Sequence, residues 1–124
     1  MNFEFRLDTP IYLQIARVLE DAIISGELPP GSRLPSVREL AASSRTNPNT
    51  VQKALQILEE KHLIYTKRTS GKFVREQLEQ VDAIRNAKAE EIIRQCRQDL
   101  ASLGLHESEM DRLWKGTSTH EAGN

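Results

Sequence analysis

The chain has 124 residues, 38% hydrophobic and 28% charged, which leaves room for one domain and an appendage but not for a two-domain enzyme. Its formal charge of -1 hides a division: residues 1–75 carry 11 Lys+Arg against 8 Asp+Glu, net +3, whereas 76–124 carry 6 against 10, net -4. There is no run of about 18 apolar residues and no basic-plus-apolar leader, so the sequence predicts a soluble, cytoplasmic protein with no membrane partner; Cys96 is the only cysteine and excludes an intrachain disulfide.

The first predicted helix opens at Thr9-Pro10, a capping hydroxyl before a proline at the first helical position. Ile11, Ile15, Val18, Leu19, Ala22 and Ile23 then recur at helical spacing until Ser25-Gly26. Leu28-Pro29-Pro30-Gly31 cannot continue it, because two prolines lack N–H donors and the glycine suits a turn. Ser36 opens a second helix as a capping box with Glu39; Val37, Leu40 and Ala41 form its apolar stripe and leave Arg38 outward.

Asn47 before Pro48 starts a third helix, since the proline keeps Asn47 out of the helical region and its side chain can accept from the amide of Asn49 or Thr50. Val51, Ala54, Leu55 and Leu58 share an arc of about 100° and face the core. Opposite them stand Asn49, Gln52, Lys53 and Gln56, none of them an acid. Amides pair bidentately with adenine, and lysine reaches guanine or phosphate, so this face suits base edges better than it suits plain solubility. Leu63 to Thr66 and Phe73-Val74 read as a hairpin turned at Thr69-Ser70-Gly71, its tip flanked by Lys67, Arg68 and Lys72. Three cations at one tip repel one another, and a phosphate backbone relieves that repulsion; alone, the hairpin could equally be a guarded sheet edge. Residues 34–75 carry 8 basic against 3 acidic side chains, which places the positive charge on this stretch. Helix, turn, helix and basic hairpin make residues 1–75 a winged helix-turn-helix, the layout of a unit that reads double-stranded DNA.

From about Leu78 to Leu103 the pattern is helical again, with Ala89, Ile92, Cys96, Leu100 and Leu103 spaced as in a coiled coil until Gly104 stops it. Glu107 to Lys115 can form a short helix with Met110, Leu113 and Trp114 on one side, and Trp114 and Cys96 read as packing rather than as reactive groups. Residues 76–115 are expected to be a dimerisation segment, with Leu113 and Trp114 joining the stripe, and 116–124 a disordered tail. A helical pair of this size encloses no cavity of the roughly 300–1,000 Å³ that a small-molecule site needs. His62, His106 and His120 stand far apart and no phosphate-binding loop or nucleophile motif occurs, so no metal, cofactor or catalytic residue is expected.

These motifs together, PIYLQI, GELPPGSRLPSVRELA, NPNTVQKAL and LIYTKR followed by a glycine and FV, resemble the GntR family of bacterial transcriptional regulators and, within it, the short-tailed YtrA-type subfamily. The resemblance covers residues 9–74 closely and runs more loosely to about 115. It implies a homodimeric repressor on a palindromic operator, often of transporter genes, with the third helix in the major groove. Carried onto matching positions, it implies DNA contacts from Arg38, Asn47, Asn49, Thr50, Gln52 and Lys53, and from Arg68, Thr69, Ser70, Gly71 and Lys72 of the wing. The chain departs from the family at three places. Ser44-Arg45-Thr46 makes the turn polar and offers Arg45 as a further phosphate contact. His62 replaces a usual glycine and must accept a left-handed conformation or change the helix cap. Thr69 and Ser70 replace a glycine and a lysine at the wing, which favours phosphate contact over groove insertion. Other readings of the same residues are a winged-helix module that binds a protein partner, a regulator with an effector site at the dimer interface, and a fragment of a longer regulator; the terminated last helix and polar tail weigh against the fragment.

Overall fold

Seven elements follow one another in the computed structural model, which describes residues 1–76 and 79–122. They are α1 (Ile11–Ser25), α2 (Val37–Ser44), α3 (Pro48–Glu60), β1 (Ile64–Lys67), β2 (Gly71–Val74), α4 (Glu79–Ser102) and α5 (Glu107–Ala122). The mostly helical fold with a hairpin wing is the one the sequence predicts. Contacts divide the chain into two units, one from Met1 to Arg85 and one beginning at Asn86.

The first unit closes around a single apolar cluster. Ile15, Leu19 and Ile23 of α1, Leu40 of α2, Val51, Leu55 and Leu58 of α3, Leu63 and Ile64 at the first strand and Val74 of the second are all buried in it. Burying a side chain of this kind contributes roughly 1.5–3 kcal/mol, so these residues fix how the three helices meet. A second tie joins α1 to the end of α3: buried Glu20 accepts from Lys61 Nζ at 3.3 Å and 3.4 Å.

The helix ends follow local rules, with one correction. Thr9 does not cap α1; its hydroxyl donates to Asp8, and Pro10 occupies the N-cap position instead of the first turn. Gln14 does the tying, donating from Nε2 to the Thr9 and Arg6 carbonyls and accepting from the Arg6 amide. The Ser36–Glu39 capping box forms as expected, and Asn47 accepts from the Asn49 amide at 2.8 Å.

Both helices of the helix-turn-helix end in the same device. Arg45 is left-handed at φ +55°, with its amide on Ala42 O and the Thr46 amide on Ala41 O. His62 is left-handed at φ +59°, with its amide on Glu59 O and the Leu63 amide on Leu58 O. This paired closure satisfies orphan carbonyls and usually takes glycine at the left-handed position. The polar turn is not loose: the buried Ser44 hydroxyl donates to Leu40 O at 2.6 Å and shares a hydrogen bond with the Thr46 hydroxyl.

The wing is an antiparallel pair in which Tyr65 faces Phe73 and Lys67 faces Gly71. The segment before α2 runs along its other edge, where Gly31 N donates to Val74 O, Val74 N to Ser32 O and Leu34 N to Lys72 O, with Arg33 bridged to Phe73. The start of α4 also belongs to this unit. Val81 is buried in the core, Ile84 packs on it, and Arg85 donates from Nε and Nη2 to Ile24 O at 3.1 Å and 2.6 Å, covering a carbonyl at the end of α1. The unit therefore runs to Arg85, past the boundary at 75 drawn from sequence, because the first two turns or so of α4 add Val81 and Ile84 to its core.

The second unit holds the rest of α4 and α5, joined through Gly104 at φ +85°. Arg97 donates to Glu107 across the joint, and Met110 is buried. Its helix α5 continues to Ala122, so the disordered tail expected from residue 116 is corrected as far as Ala122, and residues 123–124 lie outside the described residues. Gly116 costs about 1 kcal/mol relative to alanine and so discourages the helix without breaking it, and no proline follows.

Candidate nucleic-acid interface

The third helix presents what its spacing predicts. Val51, Ala54, Leu55 and Leu58 are buried, whereas Asn49, Gln52, Lys53 and Gln56 are exposed. Asn47 caps the helix and is exposed; Thr50 in the first turn is half-buried. Lys53 Nζ stands 5.7 Å from the centre of the Tyr12 ring of α1, a cation–π contact that restrains a long side chain before any ligand arrives.

Around this helix stand the positioning cations. Arg38 projects from α2 and Arg45 from the left-handed turn, both exposed and, among the described residues, with no acid in salt-bridge reach. At the start of α3 the amides are already engaged, Asn49 N on Asn47 Oδ1 at 2.8 Å and Thr50 N on Asn47 O at 2.9 Å, and Pro48 has none, so this end can favour an anion only through the helix dipole.

The wing separates its three cations. Arg68, Thr69 and Ser70 form the exposed tip, with Ser70 N donating to Lys67 O at 3.1 Å. Lys67 Nζ lies 4.8 Å from the centre of the Phe73 ring. Lys72 turns back to the domain: its amine donates to Glu59 Oε1 at 2.6 Å and to Thr66 Oγ1 at 2.8 Å, and the Thr66 hydroxyl donates to the same carboxylate oxygen. These hydrogen bonds, Lys72 first and Thr66 second, hold the Glu59 carboxyl below the usual carboxylate range. The tip thus offers Lys67 and Arg68 outward, while Lys72 is engaged at its base.

Three residues matter here that the sequence reading passes over: Tyr12, Glu59 and Arg33. Arg33 lies with Ser36, Leu55, Lys67, Arg68 and Lys72 along a groove of about 220 Å³ between the wing and the start of α2. Its place directly before Leu34, beside the basic stretch, was the one signal available for it. Tyr12 and Glu59 have no such signal, since their partners lie on other elements.

The predicted dimerisation residues belong to the second unit. Ala89 and Cys96 are exposed and Leu100 is half-buried. Ile92 is 69%, Leu103 75%, Leu113 54% and Trp114 72% exposed. Cys96 and Trp114, expected as packing residues, therefore pack on no core of their own chain. Ile93, also exposed, falls on the same side of α4 as the stripe at 100° per residue and widens it.

Comparison with known proteins agrees with this geometry. A family model described as bacterial regulatory proteins, gntR family, matches residues 11–74. The chain is 36% identical over 110 residues, 89% of its length and 91% of the other's, to YhcF of Bacillus subtilis, an uncharacterised HTH-type transcriptional regulator. It is 45% identical over 71 residues to the HTH-type transcriptional repressor YtrA of Bacillus subtilis, covering 57% of this chain and 55% of that one. Among solved structures, a GntR family transcriptional regulator from Listeria monocytogenes superposes with a TM-score of 0.80 at 32% identity, covering 90% of this chain and 98% of that one.

Proposed function

The chain belongs to the GntR family of bacterial regulatory proteins and is a transcriptional regulator with a DNA-binding domain, and from that premise we propose that it acts as a homodimeric repressor on a two-fold operator. The observation that carries this is the exposed face of α3, on which Asn49, Gln52, Lys53 and Gln56 stand together over the first turns and the acid on that side, Glu60, comes only at the last residue, on a helix capped at both ends. In this reading α3 enters the major groove, where those four side chains meet base edges. Arg38, Arg45, Asn47 and Thr50 hold the phosphates on either side, and Lys67, Arg68, Thr69 and Ser70 carry the wing along the backbone, with Gly71 shaping its turn. Two copies join through Ala89, Ile92, Cys96, Leu100, Leu103, Leu113 and Trp114, because a palindromic site needs two such helices and an exposed apolar stripe needs cover. Repression follows from occupancy: a dimer seated on a site that overlaps a promoter excludes the polymerase. The repressor YtrA supports that sense of action, and transporter genes are the target class proposed with it.

Anisotropy titration against the DNA upstream of the protein's own gene tests the reading. Binding at least a hundredfold tighter than to random duplex is expected, on the scale of specific recognition, and equal binding to both overturns it. Light scattering on the free protein should give twice the mass of the chain, and a single-chain mass at micromolar concentration overturns the dimer.

A further inference from the structure

We propose that Glu59 sets the strength of the wing's sequence-independent grip on DNA by withholding Lys72 from the phosphate backbone. The inference rests on the DNA-binding reading above and adds a residue that acts through another. The groove between wing and α2 is lined by four cations, Arg33, Lys67, Arg68 and Lys72. Arg33 and Arg68 have no acid in salt-bridge reach among the described residues, and Lys67 lies over a ring, so three of the four can turn to an anion at little cost. The fourth is closed off. Lys72 Nζ has two hydrogen-bond partners, Glu59 Oε1 at 2.6 Å and Thr66 Oγ1 at 2.8 Å, and Thr66 closes the triangle with 2.5 Å to the same oxygen. The triangle spans the last turn of α3 and both strands, so the carboxylate comes from a backbone fixed on one side by buried Leu58. Lys72 must exchange a charge-assisted bond for any phosphate it meets, and that exchange gains little.

A neutral amide at position 59 reverses the balance. Glu59→Gln keeps the size and an acceptor oxygen but drops the charge, and the Lys72 amine is then free to join Arg33 and Arg68. One added phosphate contact releases about 0.9 counterion, which steepens the salt dependence of binding by about one and tightens it roughly fivefold at 0.15 M salt. Phosphate contacts carry no sequence information, so operator and random duplex gain alike. Lys72→Gln in the parent changes affinity for random duplex by less than about twofold, since the lysine it removes is already engaged.

The experiment is anisotropy titration of the full chain with a random duplex between 50 and about 300 mM salt. The parent, Glu59→Gln, Lys72→Gln and the double variant are compared, each checked for its thermal transition. Support is a steeper slope and tighter binding in Glu59→Gln that vanish in the double variant. Three outcomes overturn the inference: an unchanged slope in Glu59→Gln, a gain that survives without Lys72, or a large loss in Lys72→Gln alone. This last measurement decides the matter even if Glu59→Gln fails to fold. A parent protein that binds no duplex at all overturns the DNA-binding reading instead.

Discussion

The two units of this chain spend their apolar residues in opposite ways. Residues up to Arg85 bury Ile15, Leu19, Leu55, Leu58, Leu63 and Val74 almost completely, close each helix of the helix-turn-helix with satisfied amides, and leave polar side chains outside. The unit from Asn86 onward buries Met110 and presents Ile92, Ile93, Leu103, Leu113 and Trp114 to solvent. A helix gains most of its stability from packing an apolar face, so the first unit is complete as a single chain and the second is not. That contrast separates a unit whose shape is set from within from one whose larger apolar side chains are left exposed, as the proposed coupling segment would require.

The sharpest way to break the comparison is to remove one apolar side chain from each unit, buried in the first and exposed in the second. Leu58→Ala, at a fully buried position, should lower unfolding stability by about 2–5 kcal/mol in a urea titration. Leu103→Ala should change single-chain stability by less than about 0.5 kcal/mol, because the residue is 75% exposed, and act on association instead. Equal effects would erase the distinction between the units. Charging the stripe separates them further: Ile92→Asp with Leu103→Asp should leave the helical circular-dichroism signal of the first unit intact and convert the proposed dimer to single chains by light scattering. Operator binding would then fall by about a hundredfold, the avidity expected when two linked sites become one.

Within the first unit, Lys53→Ala should weaken operator binding by about 1–3 kcal/mol if the amine reads a base. If it touches phosphate alone, random duplex weakens by the same factor, and the salt slope falls by about one. Smaller again is the effect at the two left-handed ends. Arg45→Gly and His62→Gly each relieve a side chain from φ near +55° to +59°, at the cost of a looser unfolded chain, and should each stabilise by about 0.5 kcal/mol in thermal melts. Arg45→Gly should at the same time weaken DNA binding, whereas His62→Gly should not, so stability and binding part company at one site only. The smallest effect is acidic. Because the Glu59 carboxyl is held below its ordinary range, the triangle with Lys72 and Thr66 contributes fully above the unfolded value near 4.3 and is lost as pH falls through the depressed one. Glu59→Gln should flatten that part of the stability profile below pH 4.3.

The parts of this architecture that were legible in sequence are those written in short-range chemistry. Ser36 with Glu39 and Asn47 with Pro48 announce helix starts within three residues, and the period of Val51, Ala54, Leu55 and Leu58 orients the reading face without knowledge of the fold. What stayed hidden depends on contacts between elements. Glu59 and Lys72 lie 13 residues apart and meet only when the hairpin folds onto α3. Arg85 reaches Ile24 across 61 residues, so the apolar start of α4 was assigned to the appendage when it packs on the domain. Thr9 misled because capping propensity speaks for a residue type, and here its hydroxyl is turned to Asp8 while Pro10 takes the N-cap position. The end of α5 misled for a related reason: Gly116 and the threonines after it lower helix propensity, but a propensity is only a bias on a chain already turning.

The glycine at the base of the wing divides the hairpin into a part that can change and a part that cannot. Gly71 sits at φ +106°, and any side chain there would meet Arg33 Nε at 3.2 Å, so substitution costs both backbone strain and the seat of a cation. Arg68, Thr69 and Ser70 beyond it are exposed and touch no core, so they can be exchanged freely. Gene duplicates of this regulator can therefore drift apart in the charge and length of the wing tip, and so in how firmly it holds any backbone it meets, without first destabilising the protein.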